Sequence, residues 1–201
     1  MSKVIFDVGA NFGQTFIDHA RHGYHVYAFE PTPYLISEIK KWSCDIPTYH
    51  LIEYAVSETE GIMKFNIAGQ SDWGCSSLLE FSDGLDKTWP GRSDLKVTDT
   101  INVNTIRLDT FLKDHPEIEK IDYLHIDTQG SDLSVLRSLG DKIQIVEEGI
   151  VEVPQSVEVV LYKKQHTKEE MIAFLYSNGF EIVGVTSQMN EDNLRFRKRK
   201  K

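Results

Sequence analysis

Cysteine is scarce in this chain of 201 residues: only Cys44 and Cys75, with no CxxC pair and no neighbouring histidine at metal-ligand spacing. That excludes a disulfide framework and a zinc-finger-like site, and makes a reducing cytoplasm the expected location. Long apolar runs are missing as well. No stretch approaches the length needed to cross a bilayer, and Met-Ser-Lys at the start lacks the basic region, apolar region and cleavage site of a signal peptide. Neither a Pro/Gly/Ser-rich linker nor an internal repeat is present, so one domain is expected over residues 1–194.

Basic residues are also in deficit. There are 22 Lys and Arg against 31 Asp and Glu, a formal net charge of -9. Six of the basic residues fall in the last seven positions, Arg195 to Lys201, so the rest of the chain is more acidic still. A body of that sign repels a phosphate backbone, which argues against nucleic acid as a partner. The run at residues 195–201 is expected to be a solvated, frayed tail.

The chain alternates strand and helix signals. Val4 to Val8 is a short apolar run ending at a glycine, followed by helical spacing over 13–22, an apolar strand at His25 to Phe29, and a helix over Tyr34 to Trp42. His50 to Val56 supplies a third strand. Gly61 to Ile67 alternates, and residues 68–100 read as a long irregular loop that carries Trp73 and Trp89. Further strands are expected at 103–108, 121–126 and 143–153, the last interrupted near Gly149. Helical turns are expected at 109–115, and helices follow Ser131 and Thr167 as caps. Two strands, near 180–186 and 193–197, close the chain. This order predicts an α/β fold with a mostly parallel central sheet of about seven strands and helices on both faces.

The strand-to-helix turn Asp7-Val8-Gly9-Ala10-Asn11-Phe12-Gly13 is where an α/β sheet receives a nucleotide-like ligand. It is neither a full GxGxxG signature nor a phosphate loop with a Lys-Ser/Thr ending. Glu30 ends the second strand 21 residues after Gly9, where a carboxylate accepts hydrogen bonds from both ribose hydroxyls and repels a ribose phosphate. A nicotinamide dinucleotide could use the same acid, but Asp7 leading the turn favours S-adenosyl-L-methionine.

With these residues in place, the sequence resembles the FkbM family of methyltransferases over nearly its whole length. The likeness rests on Val4–Gly13, Ala28-Phe-Glu-Pro31, Ala55-Val-Ser57, Ser76-Ser-Leu78, Thr105–Asp109 and Ile121–Gly130. It implies a class I, Rossmann-like methyltransferase fold and methylation of a hydroxyl on a sugar or glycan, such as a deoxyhexose like rhamnose. S-adenosyl-L-methionine is then expected against Asp7, Gly9, Ala10, Asn11, Gly13, Gln14, Glu30 and Pro31, with Ala55 and Val56 bordering the adenine.

Methyl transfer to an alcohol needs an aligned acceptor and a group that takes its proton. Asp127, at the end of a central strand, is the first candidate. His125 lies two residues earlier and would share its face, and Glu152 is an acid at the end of an apolar strand. The three could alternatively ligate magnesium or manganese. Trp73, Ser76 and Trp89 are candidate acceptor contacts, the indoles as platforms for a sugar ring. Two other readings stay open: a polyketide-like hydroxyl as acceptor, or a nucleoside-binding module without catalysis. The first strand starts almost at Met1 with no helix before it, which suggests a domain of a longer polypeptide that also carries glycosyltransferase domains.

Overall fold

The computed structural model describes residues 2–68 and 73–200. Ten strands and six α-helices occur among them: β1 (Val4–Val8), α1 (Ile17–Arg21), β2 (His25–Phe29), α2 (Pro33–Ser43), β3 (Tyr49–Ile52), β4 (Ala55–Val56), β5 (Gly61–Ile67), α3 (Leu85–Thr88), β6 (Asp99–Ile106), α4 (Leu108–Asp114), β7 (Ile121–Ile126), α5 (Asp132–Ser138), β8 (Val146–Pro154), α6 (Lys168–Ser177), β9 (Phe180–Gln188) and β10 (Glu191–Lys198). Seven of the strands form one sheet in the order β3-β2-β1-β7-β8-β10-β9. Pairing is parallel from β3 through β8, whereas β10 runs antiparallel to both β8 and β9. The expected mostly parallel sheet of about seven strands is therefore present.

The central strands are largely apolar because the sheet is buried on both faces, Asp7 of β1 and His125 of β7 being paired exceptions. Successive residues of β1 serve opposite layers. Phe6 and Val8 enter the larger core with Tyr27, Phe29, Phe111 and Leu124, while Ile5 packs with Val26, Ala28 and Ile39 on the other side. Phe6 lies 5.6 Å from Phe29 and 5.8 Å from Phe111 between ring centroids, in tilted and edge-on arrangements that suit aromatic quadrupoles. No helix among the described residues is long and apolar enough to cross a membrane.

Four expectations need correction. The segment His50–Val56 is not one strand: β3 ends at Ile52, and β4 belongs to a separate sheet of order β4-β6-β5. The stretch 143–145 belongs to a 3-10 helix over Gly140–Ile145, and β8 then runs unbroken through Gly149. Gly149 reflects close approach, since a Cβ there would lie 2.2 Å from the Leu124 carbonyl oxygen and 2.6 Å from the Phe196 ring. The first helix is shorter than 13–22, because the chain before Ile17 is taken up by the turn. Finally, Arg195 to Lys198 are no frayed tail. They complete β10, with Leu194 and Phe196 buried while Arg195 and Arg197 face solvent. The basic residues are the outward half of an alternating strand, a pattern that the concentration of charge masks.

Candidate active site

The sheet reverses its strand order between β1 and β7, and ligands of open α/β sheets bind at such a point, beyond the carboxyl ends of the strands. Here Val8 leaves β1, and Gly9 and Ala10 both donate their N–H to the Phe29 carbonyl at 3.0 Å. Gly9 has φ +84°, and a Cβ on it would lie 1.9 Å from the Asp127 carbonyl oxygen. The glycine is thus required by the neighbouring strand, not to clear space for a ligand.

The turn delivers the Asn11 N–H to one oxygen of Glu30 at 2.9 Å, and Thr32 donates its N–H to the other at 2.8 Å. Glu30 is only 4% exposed. Burial pushes its carboxyl up to about 7, against the lowering effect of the hydrogen bonds from Thr32 and Asn11. A carboxylate in this position gains from any further donor that enters beside it.

Such a donor has a place to enter. Glu30 lines a cavity shared with Gly9, Asn11, Pro31, Ala55, Val56, Trp73, Ser76 and Asp127. Leu35, Tyr54, Phe65 and Leu78 add apolar walls, giving the mix of apolar surface and a few polar groups usual for a small-molecule site. The side-chain oxygen of Asn11 is buried and has no hydrogen-bond partner within the described residues, which also marks this wall as awaiting a polar ligand. These groups fit an adenosine: a buried acid for the ribose and an apolar slot for the base.

Four expected cofactor contacts stand outside the cavity wall: Asp7, Ala10, Gly13 and Gln14. Asp7 is fully buried and accepts a 2.8 Å hydrogen bond from Nδ1 of His125, its register partner on β7. Gly13 lies against Trp42 and Tyr49, whose hydroxyl donates to its carbonyl at 3.1 Å. Gln14 is exposed.

Of the proposed catalytic trio, the structure brings Asp127 and Glu152 together but turns His125 away to Asp7. Burial alone would lower the His125 pKa, yet the hydrogen bond and charge of Asp7 outweigh it and the net shift is upward. His125 therefore holds its proton toward Asp7, as a satisfied histidine within the sheet. Among the described residues no group of three or more His, Cys, Asp or Glu side chains could hold a metal ion, so the magnesium or manganese expectation gains no support.

Asp127 lies on the cavity wall, opposite in chain order to Glu30 across the β1–β7 junction. Its Oδ1 accepts from Gln129 Nε2 at 2.6 Å, and the same amide donates to Glu152 at 3.3 Å. Behind them Asp132 is buried, accepting from the Glu152 N–H at 3.1 Å and from the Thr128 hydroxyl at 3.0 Å. Burial first, then the charges of Asp127, Glu191 and Asp132, push Glu152 up to about 9; burial and Asp127 take Asp132 to about 7. Glu191 is likewise raised to about 7 by burial and Asp127. Burial and the neighbouring charges thus favour the protonated form of Glu152, which suits it less than Asp127 to the role of base.

The two loop tryptophans part company. Trp73 lines the cavity and stacks on Tyr34 at 4.8 Å. Trp89 is 3% exposed, donates its indole N–H to the Val159 carbonyl at 3.2 Å and packs with Leu95, Leu161 and Tyr162. It anchors the loop and is no acceptor platform. Ser76 reaches the cavity while its hydroxyl accepts from the Ala68 N–H at 3.1 Å.

Sequence reasoning missed Gln129, Asp132, Tyr162 and Glu191. Glu191 reaches this end of the sheet because β10 is antiparallel, so its first residues pair with Pro154 at the end of β8. Nothing in the local sequence signals that reversal.

Comparison with known proteins decides the family. The profile of the methyltransferase FkbM domain matches residues 7–182. The chain belongs to the FkbM methyltransferase family. No curated protein matches it. Among solved structures, the FkbM domain is similar to Aeropyrum pernix fibrillarin with natively bound S-adenosyl-L-methionine, at 12% identity and TM-score 0.54 over 97% of this chain and 66% of that one. It is also similar to magnesium protoporphyrin IX methyltransferase from Synechocystis PCC 6803 with bound S-adenosylhomocysteine, at 12% identity and TM-score 0.51, covering 98% and 74%. At that identity the likeness establishes the class I Rossmann-like fold of this FkbM domain, and the family supplies methyl transfer.

Proposed function

We propose that this FkbM domain moves a methyl group from S-adenosyl-L-methionine to a hydroxyl of a sugar or glycan, a deoxyhexose being the expected type. The observation that carries this reading is one cavity with Glu30 on one wall and Asp127 on another. The bound cofactor supplies an electrophilic methyl group on a sulfonium. The protein's task is to orient the acceptor and take its proton.

Glu30 accepts the ribose hydroxyls, its other lone pairs already engaged by Asn11 and Thr32. Ala55, Val56, Leu35 and Phe65 would enclose the base with apolar surface. With the cofactor bound, Asp127 would receive the proton of the acceptor hydroxyl as that oxygen bonds to the methyl carbon, the methyl–sulfur bond breaks and S-adenosylhomocysteine leaves. Gln129 donates to both Asp127 and Glu152, and burial with the neighbouring charges favours the protonated form of Glu152, so that it does not compete for that proton. Trp73 offers an aromatic face at the cavity wall on which a sugar ring can rest. The carboxyls around Asp127 disfavour an acceptor that brings a negative charge to the reacting hydroxyl, which suits a neutral sugar.

Calorimetry with S-adenosylhomocysteine, followed by a transfer assay over free and glycosidic deoxyhexoses and polyketide alcohols, tests this function. Binding and transfer to a sugar hydroxyl are expected. Transfer to polyketide alcohols alone would reassign the acceptor, binding without transfer to either would make the domain a nucleoside-binding module, and failure to bind would remove the cofactor.

A further inference from the structure

The residue after Thr128 sits in an unusual backbone state. Gln129 has φ +56°, in the left-handed region, where glycine and asparagine are at ease and a longer side chain is strained. Strain of this kind persists where the surroundings over-determine it, and it clusters at functional sites.

The surroundings do over-determine it. The Gln129 carbonyl accepts from the Ser77 hydroxyl at 2.7 Å, fixing the main chain. Its side-chain oxygen accepts from the Tyr162 hydroxyl at 2.8 Å, and that hydroxyl also lies 2.9 Å from the Cys75 carbonyl. Room for the Tyr162 ring comes from Gly130, where a Cβ would lie 2.8 Å from the ring. The two N–H groups of the amide are left to Asp127 and Glu152. An amide has two donors and one carbonyl, and every one of them is used. Reversing it would set the carbonyl oxygen against Asp127 Oδ1, which now lies 2.6 Å from the amide nitrogen.

We propose that Gln129 is a positioning residue for methyl transfer: its side-chain amide, locked by Tyr162, bridges Asp127 and Glu152 and fixes where the Asp127 carboxyl stands beside the acceptor. The inference rests on the function proposed above and adds to it the device that aims the base. Such aiming matters because a displacement of about 1 Å in a reacting group can cost on the order of 10²-fold in rate.

Two variants test it. Gln129→Asn suits the left-handed backbone and so should fold, but its amide is one methylene too short to reach both carboxyls. Tyr162→Phe removes the hydroxyl that locks the amide and leaves the ring on Gly130. Crystal structures of both, soaked with S-adenosylhomocysteine, should show the Asp127 carboxyl displaced or split between conformers. With the sugar acceptor that the panel identifies, kcat should fall about 10- to 100-fold in Gln129→Asn, and less in Tyr162→Phe. Acceptor KM and S-adenosylhomocysteine affinity should stay within about twofold, since Gln129 acts on Asp127 and not on the nucleoside. An unmoved Asp127 in both variants overturns the proposal, and so does displacement with unchanged kcat. If the unaltered protein binds no S-adenosylhomocysteine, the cofactor reading falls, while the position of Asp127 in the two variants still decides what Gln129 does.

Discussion

Glu30 offers a test in which charge, burial and binding can be separated. Its carboxyl is raised to about 7 by burial, so near neutral pH the free protein holds it partly protonated. A ribose offers two hydroxyl donors, which stabilise the ionised form and lower the pKa in the complex. Binding therefore releases a proton, and affinity must rise with pH. For a free-state value near 7 the ionised fraction goes from about one tenth at pH 6 to about nine tenths at pH 8, so affinity for S-adenosylhomocysteine should increase roughly tenfold over that range and level off above it.

Glu30→Gln removes the charge while keeping size. At pH 8 it should weaken binding by about 1.5–3 kcal/mol, the scale of hydrogen bonds to a charged group, and the loss should shrink toward pH 6 as the unaltered protein protonates. The variant is the necessary control, because Asp132 and Glu191 are also raised to about 7. Calorimetry at pH 6, 7 and 8 in two buffers of different ionisation enthalpy measures both affinity and protons released. Equal pH dependence in the two proteins would show that another group titrates and that Glu30 does not meet the ribose.

Asp127→Asn should leave S-adenosylhomocysteine affinity within a few-fold and cut turnover by about 10²–10⁴, as loss of a general base does; near-normal turnover on the sugar acceptor would remove that role. Gly9→Ala forces a Cβ against the Asp127 carbonyl at a left-handed φ, and should cost roughly 2–5 kcal/mol in denaturant unfolding; a variant as stable as the parent would refute the close approach. Trp89→Ala should cost about 3–5 kcal/mol as a buried indole is deleted, whereas Trp73→Ala should mainly weaken ligand binding, and a reversed pair would overturn their assignment. Asp132, Glu152 and Glu191 all hold protons that the unfolded chain would lose above the ordinary carboxylate range. The folded state therefore binds more protons, and stability should fall as pH rises from about 5 toward 8; a flat unfolding profile would contradict those buried charges.

The sequence carries the parallel half of the fold plainly. The strands at Val4–Val8, His25–Phe29 and Ile121–Ile126 appear with the expected bounds, because a largely apolar run bounded by polar residues is a local signal. Thr167 caps α6 as expected, through a full capping box with Glu170. What local pattern cannot convey is partnership. Ala55 and Val56 look like a continuation of β3, and only pairing with Thr105 and Ile106 assigns them to the second sheet. Trp73 and Trp89 are equivalent as letters in a Gly- and Asp-rich loop; one is buried because Leu161 and Tyr162, more than seventy residues later, close over it. His125 and Asp127 share an alternation that puts them on one face, but the register of β1 against β7 sets Asp7 opposite His125 and captures its ring.

The same junction explains why the Asp127 end of the cavity is less legible in the sequence than the Glu30 end. Glu30 meets its partners Asn11 and Thr32 within nineteen and two residues, so a motif of modest length contains the whole arrangement. Asp127 is surrounded by groups from three places: Gln129 and Asp132 just after β7, Glu152 at the end of β8, and Glu191 at the start of β10. They converge because parallel β7 and β8 end at one edge of the sheet, and antiparallel β10 begins there. A single reversed strand thus adds an acid to an edge already crowded with carboxyls, and the fold must keep some of them protonated and tie others to Gln129 and Thr128. The left-handed backbone at Gln129 follows from that demand: the chain must turn sharply after Thr128 and still send an amide back between Asp127 and Glu152. A turn built only to connect β7 to α5 would be served better by asparagine or glycine at that position, so the glutamine is explained by the carboxyls it separates and not by the turn it strains.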